Sequence, residues 1–357
     1  MTQQPAIFLG LMSRSYSFIS DVGLPDIWVM DEKVQFVDDI KPLQDTELYR
    51  VRGISGVEWA MPMYKGLLKA RLADGTFQTC NVVGLDDATL IGGPPVMLEG
   101  TVEDLRRSDG VIVDIDGARD KLGKPSPTPG GKPIPLKVGD SLELNDHRAI
   151  VVGIAKVTRT FQSQPVVYTT YSRAKSYAPK ERKLLSFVLV KAKPGQDLAE
   201  LTRRIRAATG LAAYTREEFM SLTYEYFMRN TGIPINFGIS VLLGFIVGAA
   251  IAGQTFYNST LENLRQFGVL KAMGTSNWVL LRMILLQAVL VGTIGYGLGV
   301  GLTAVFGYSM RHSILAFKFP WQLLLFSGAG VSLICIFAAL LSIIKVIRLE
   351  PAIVFKG

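Results

Sequence analysis

The chain has 357 residues, 49% hydrophobic and 19% charged, with 38 Lys and Arg against 30 Asp and Glu and a net charge of +8. The basic residues are scattered rather than gathered on a helix between stacking aromatics, which argues against nucleic-acid binding. Two cysteines, Cys80 and Cys335, are too few for a disulfide framework.

Two regimes lie beneath these averages: a charged region rich in Gly and Pro up to about Asn230, and a strongly apolar region beyond it. The N-terminal stretch MTQQPAIFLGLM carries no charge but is too short to span a bilayer. It also lacks the basic start and small-residue cleavage site of a signal peptide. Leu43–Arg52 has a helical pattern that Gly53 is placed to stop. Residues 57–72 and 77–85 are rich in β-formers and flank Ala73-Asp74-Gly75-Thr76, which predicts a hairpin. Pro125–Pro135 (PSPTPGGKPIP) cannot hold a helix or central strand and reads as a loop. DSLELNDHRAIVVGIAKV then alternates like a second hairpin. SFVLVKAKPG, DLAELTRRIRAATG and LAAYTREEF read in turn as strand, helix and extended segment. The whole predicts an α+β domain over residues 14–232.

No catalytic, cofactor or metal site is predicted in this domain. Gly130-Gly131-Lys132 lacks the earlier glycine and the Ser or Thr of a phosphate loop, and Pro133 follows it. Asp114-x-Asp116 and Asp38-Asp39 begin no EF-hand-like ligand series and read as caps or strand ends. His147 and His312, the two histidines, are far apart and have no cysteine or carboxylate cluster beside them.

Beyond Asn230, residues 231–261, 283–310 and 319–344 contain no Asp, Glu, Lys or Arg. About 20 apolar residues cross ~30 Å of hydrocarbon, so each run predicts a membrane-spanning helix, at about 236–258, 281–308 and 320–344. Small residues recur four apart at Gly244, Gly248 and Ala252, at Gly295 and Gly299, and at Gly297 and Gly301. Such spacing lets helices approach closely, within the chain or across a dimer. Gln287 reads as an interhelical hydrogen-bonding residue rather than a transport site.

The charged segment 262–280 between the first two spans is too short for a domain. It predicts a helix at about Asn263–Met273, with Gly274 ending it and Thr275 or Ser276 capping the next. Phe267, Leu270 and Met273 would then enter a partner's groove, or the helix would lie among lipid headgroups. Trp278 and Arg282 suit an interfacial level. Arg265, Lys271 and Arg282 in this segment, with Lys345, Arg348 and Lys356 in the tail 345–357, outnumber Arg311 and Lys318 on the opposite side. The segment and tail are therefore placed in the cytoplasm and the α+β domain outside it. Export of that domain would need a hydrophobic helix ahead of it, and residues 1–13 read as the outer end of one.

Gln266-Phe267-Gly268-Val269-Leu270-Lys271-Ala272-Met273-Gly274, the Gly-rich helix after it and the tail Glu350-Pro351-Ala352-Ile353-Val354-Phe355-Lys356 resemble the FtsX/MacB/LolE permeases of ABC transporters. The chain looks most like the DevC-type cyanobacterial exporter permeases, through Ser15–Asp31, Ile40, Arg50-Val51-Arg52-Gly53 and Tyr64-Lys65-Gly66. The resemblance implies an α-helical bundle with four spans, three of them in this chain, and a large α+β domain outside the inner membrane. It also implies a homodimer, a separate ABC ATPase, a membrane-fusion adaptor, an outer-membrane channel and a lipid-like cargo. ATPase coupling falls on Glu262, Arg265, Phe267, Gly268, Leu270, Lys271, Met273 and Gly274. Helix packing falls on Gly244, Gly248, Gly295 and Gly299. Gln266 and Gln287 stand where many relatives carry Glu, so no carboxylate role transfers to them. An FtsX-like regulator of a cell-wall hydrolase and a non-transporting scaffold are the alternative functions.

Overall fold

A computed structural model describes residues 2–126, 128, 131–179, 184–313 and 315–347. Gly130 and the tail motif Glu350–Lys356 lie outside the described residues. The chain divides into two compact units, residues 12–230 and residues 1–11 with 231–357. Helix α1 (Gln3–Ser15) runs through the first of these boundaries.

The 12–230 unit is a mixed β-sheet with helices on both faces. In chain order it contains α2 (Ser17–Asp21), β1 (Ile27–Met30), α3 (Thr46–Arg52), β2 (Val57–Arg71), β3 (Phe77–Leu85) and β4 (Val96–Glu99). Next come β5 (Gly110–Asp114), α4 (Ile115–Arg119), β6 (Ser141–Leu144), β7 (His147–Lys156), β8 (Val166–Thr170) and α5 (Tyr171–Tyr177). It closes with β9 (Phe187–Ala192), α6 (Leu198–Thr209), β10 (Ala212–Thr215) and α7 (Arg216–Asn230). The strand order is β10-β1-β9-β2-β3-β8-β5-β7-β4, with β6 pairing β2 and β7. The parallel pairs are β3 with β8 and β5 with β7.

Strand β2 is the spine. Its first half pairs with β9 as far as Met63 opposite Phe187, and from Tyr64 opposite Gly84 onward it pairs with β3. One strand therefore joins two half-sheets. The β2–β3 pair is the predicted first hairpin. The β6–β7 pair is the second, turned by Asn145 and Asp146, which both hold positive φ (49° and 64°), as a tight two-residue hairpin turn requires.

Alternation along the strands sends apolar side chains to both faces. One face carries Val29, Ala60, Tyr64, Val82 and Val190 beneath Leu48 and Val51 of α3, Ala174 of α5 and Ile205 of α6. The other carries Trp28, Met63, Val83 and Tyr168 beneath Phe18 and Ile19 of α2 and Phe219 of α7. Trp28 sits 5.5 Å from Phe187 and 5.7 Å from Phe219, an aromatic knot that seats α7 on the sheet.

Two expectations change in detail. The helix predicted over Leu43–Arg52 begins only at Thr46, because Leu43 is drawn into a β-bridge with Leu185. The segment from Arg216 is helix rather than extended: Thr215 and Glu218 form reciprocal hydrogen bonds that start α7, and Phe219, Thr223 and Phe227 make its buried stripe.

The other unit holds α8 (Ile233–Glu262), α9 (Leu264–Ala272), α10 (Asn277–Ser309) and α11 (Trp321–Ile347). Three of these, α8, α10 and α11, are long and apolar enough to cross a membrane. At 1.5 Å per residue they reach roughly 40–50 Å, more than the ~30 Å of hydrocarbon, so their ends extend into the headgroup level. Helix α11 packs on both α8 and α10. Phe8 of α1 lies 5.4 Å from Phe237 of α8, and Ala6 accepts a hydrogen bond from the Lys318 N–H through its carbonyl.

Candidate functional site

A single residue, Asn263, separates α8 from α9. It leaves the helical region only slightly (φ −94°, ψ 11°), and its side-chain amide donates to the Ser259 carbonyl at 2.8 Å. At the other end the chain turns sharply. Thr275 N–H donates to the Leu270 carbonyl and Gly274 N–H to the Lys271 carbonyl, both at 3.1 Å, the paired bonds of a Schellman motif. Gly274 takes φ +91°, a conformation that a side chain at this position would strain. Ser276 precedes α10, but its hydroxyl makes no capping hydrogen bond.

Between these turns α9 has two faces. Phe267 and Gly268 are buried, with Phe267 only 7% exposed among Leu280, Ile284, Ala339 and Ile343 of α10 and α11, and Leu270 packs at the edge of that cluster. The expectation that Phe267 enters a partner's groove is therefore corrected. An aromatic ring on a helix wedged between two spans gains more contact from its own bundle than from solvent. The outer face carries Arg265, Gln266 and Val269, with Glu262 exposed at the end of α8 just before it and Met273, the C-cap, 70% exposed just after it. Lys271 is half-buried, and Trp278 follows the turn at 68% exposure. Of the eight residues predicted for coupling, Glu262, Arg265, Met273 and Gly274 thus lie on the accessible surface. Phe267, Gly268 and much of Leu270 form its foundation. Val269 and Gln266 were missed as surface groups; the three-residue spacing of Phe267, Leu270 and Met273 was read as the outward stripe.

The small-residue pattern is also redistributed. A Cβ at Gly295 or Gly299 would meet no neighbouring atom within 4 Å, and Gly244 is exposed. At Gly248 a Cβ would reach the Ile334 side chain at 3.7 Å, an ordinary contact. The close approach is at Gly292, where a Cβ would come within 2.7 Å of Cys335 Sγ, so α10 meets α11 there. Gly248, Gly295, Gly299 and Gln287 line a groove of about 660 Å³ between α8 and α10.

The four carboxylates singled out in the sequence, Asp38, Asp39, Asp114 and Asp116, have structural partners. Asp114 is buried and accepts from Gly117 N–H at 2.8 Å and Val166 N–H at 2.6 Å, and its burial pushes the pKa up to about 6. Asp116 pairs with Arg159 at 2.7 Å, and this hydrogen bond holds its pKa below the usual carboxylate value. Asp38 pairs with Lys65, and Asp39 with Lys41 at 2.6 Å. Among the described residues no group of three His, Cys, Asp or Glu side chains could hold a metal ion. The thiol of Cys80 is buried and pushed up to about 12.

Three spanning helices, a large α+β domain inserted ahead of them and an exposed amphipathic turn between the first two define a multi-pass membrane protein of permease architecture. The MacB-like periplasmic core domain model matches residues 7–208, more than half of the chain, and the FtsX-like permease C-terminal model matches residues 237–351. An ABC transporter permease of Methanocaldococcus jannaschii is 26% identical over 54% of this chain and 52% of its own length. One from Mycobacterium tuberculosis is 25% identical over 88% of this chain and 80% of its own. The periplasmic region of MacB from Actinobacillus actinomycetemcomitans aligns with a TM-score of 0.41 and 15% identity, covering 60% of this chain and 96% of that one. The chain belongs to the MacB/FtsX-type family of ABC transporter permeases, proteins of the inner membrane.

Proposed function

We propose that this chain is the permease subunit of an ABC exporter that works by transmitting motion rather than by forming a pore through its own helices. The exposed stripe of α9 carries this reading. It is a short helix with Val269 exposed at its centre, Met273 at its C-cap, Arg265 in its first turn and Glu262 just before it at the end of α8, held by a Schellman turn on one side and by buried Phe267 beneath. An ATPase groove that took this stripe would grip a rigid lever between two spans. Closure of the ATPase on ATP would move α8 and α10 together, and α8 follows α7 of the α+β domain after only two residues.

Basic residues in the 262–282 segment and the tail support a cytoplasmic position for α9, and so an extracytoplasmic one for residues 14–232. The unpacked faces at Gly244, Gly295 and Gly299 support a second copy of the chain as the neighbour in the membrane. The DevC-like stretches Ser15–Asp31 and Tyr64-Lys65-Gly66 support a lipid-like cargo handed to a membrane-fusion adaptor and an outer-membrane channel. We place ATP hydrolysis in a separate partner subunit, as the resemblance to ABC transporter permeases implies.

Co-purification from the native membrane tests the reading, followed by lipid analysis of the outer membrane after deletion of the chain. Recovery of an ABC ATPase together with loss of a lipid species is expected. Recovery of a cell-wall hydrolase with unchanged lipids would replace the exporter with a regulator.

A further inference from the structure

Two helices lie nearest the points where the α+β domain joins the rest of the chain, α2, directly after α1, at its start and α7 at its end. Both lie on the same face of the sheet, and Arg216 of α7 fastens them together by donating to the Ser20 carbonyl. Both also touch one connection, residues 157–165 between β7 and β8. Asp21, the last residue of α2, accepts two hydrogen bonds from Thr158, one from its backbone N–H at 2.7 Å and one from its hydroxyl at 2.8 Å. The Ser17 hydroxyl lies between two carbonyl acceptors, Arg14 at 3.0 Å and Arg159 at 3.2 Å. Phe161 lies 4.5 Å from Phe227 of α7, whose neighbour Tyr226 stacks on Phe36 at 4.3 Å. The same connection reaches into the far half-sheet, where Arg159 Nε binds Asp116 just after β5 at 2.7 Å.

The near half-sheet needs no such link, because Phe219 of α7 is already embedded against Trp28 of β1 and Phe187 of β9. Apolar side chains elsewhere on this face hold α2 and α7 down but resist sliding weakly, since dispersion contacts are non-directional. A carboxylate receiving two hydrogen bonds from one residue is directional and charge-assisted.

We propose that residues 157–163 are the transmission contact through which movement of α2 and α7 reaches the β8-β5-β7-β4 half of the sheet, and that Asp21 fastens it. Asp21 is a positioning residue in this account, and the inference rests on the permease reading above. Motion delivered by α7 turns the near half-sheet directly. The Asp21–Thr158 clasp makes the far half follow, pivoting about β2, the strand the two halves share.

The test uses the full chain in liposomes with its co-purified ATPase, read by hydrogen exchange with and without ATP. In the parent, ATP is expected to change exchange in α7 and also in β7 and β8. In Asp21→Ala the α7 response and the ATPase rate persist, while the β7 and β8 response falls at least about tenfold, because both hydrogen bonds from Thr158 to the charged acceptor are lost. A double variant, Asp21→Cys with Thr158→Cys, controls for folding because one molecule is read in two states. Oxidised, it should respond like the parent; reduced, it should lose only the β7 and β8 response. A β7 and β8 response that is undiminished in both Asp21→Ala and the reduced double variant overturns the clasp while leaving the permease reading intact. An ATP response absent everywhere in the parent overturns both.

Discussion

Phe267 and Met273 separate packing from docking on the same short helix. Phe267 is 7% exposed inside the α9–α10–α11 cluster, and its truncation to Ala removes a ring from a filled site. Buried Phe→Ala changes cost about 3–5 kcal/mol in water-soluble cores. The value here should lie at the low end of that range, about 3 kcal/mol. Met273 is 70% exposed, so Met273→Ala should change stability by no more than about 0.5 kcal/mol. At an interface, however, an apolar anchor of this kind contributes about 1–2 kcal/mol, or roughly tenfold in affinity. The assay pairs thermal unfolding of each variant in detergent with titration by the co-purified ATPase. Phe267→Ala should lower the unfolding midpoint, and Met273→Ala should keep the midpoint but weaken ATPase binding. Unchanged ATPase affinity in Met273→Ala, with lost affinity and normal stability in Phe267→Ala, would refute the assignment of the two faces.

Three further outcomes follow from the geometry. Burial raises the Asp114 pKa to about 6, so the native state holds this proton more tightly than the unfolded chain, whose carboxyl titrates near 3.9. Its charged form therefore costs stability at pH 7, and the chain should gain about 1.4 kcal/mol from this group on going to pH 5, a response that Asp114→Asn should abolish in denaturation curves. Gly292→Val should lower thermal stability by forcing α10 away from Cys335 on α11, whereas Gly295→Val should leave the isolated chain as stable as the parent; equal effects would mean the helix register is wrong. Cysteines at Ala73, an exposed hairpin tip, and at Ser276 should label from opposite sides of the membrane, and labelling of both from the cytoplasm would overturn the proposed orientation; the native cysteines are buried.

Local patterns carried much of the fold. The charge-free runs identify the spans because length and apolarity alone decide crossing, and Asp74-Gly75 between β-rich arms identifies the β2–β3 hairpin. Pairings between distant segments left no local trace: the parallel contacts of β3 with β8 and β5 with β7 pair residues at least as far apart in the chain as Gly110 and Ile150. Helix α7 was obscured at its start by Arg216-Glu217-Glu218, which resembles a solvated loop until the buried positions that follow are seen together. In the 262–280 segment, the position and ends of α9 could be read from Asn263 and Gly274. Which of its faces turns outward could not, because a stripe of Phe267, Leu270 and Met273 fits the chain's own bundle as well as a partner's groove. The contact at Gly292 was hidden for another reason. It is one glycine opposite one cysteine, whereas a Cβ at the repeated glycines Gly295 and Gly299 would meet no atom within 4 Å among the described residues.

The most direct measurement of the central claim is ATP hydrolysis by the co-purified ATPase in proteoliposomes containing either the parent chain or Met273→Glu. A charge at the C-terminal end of the exposed α9 stripe should be costly to bury in a partner's groove but harmless in the isolated chain. The parent should stimulate hydrolysis, and Met273→Glu should insert normally, unfold at the parent's temperature and fail to stimulate it. Equal stimulation by both chains would contradict the account and leave α9 as a connector between two spans.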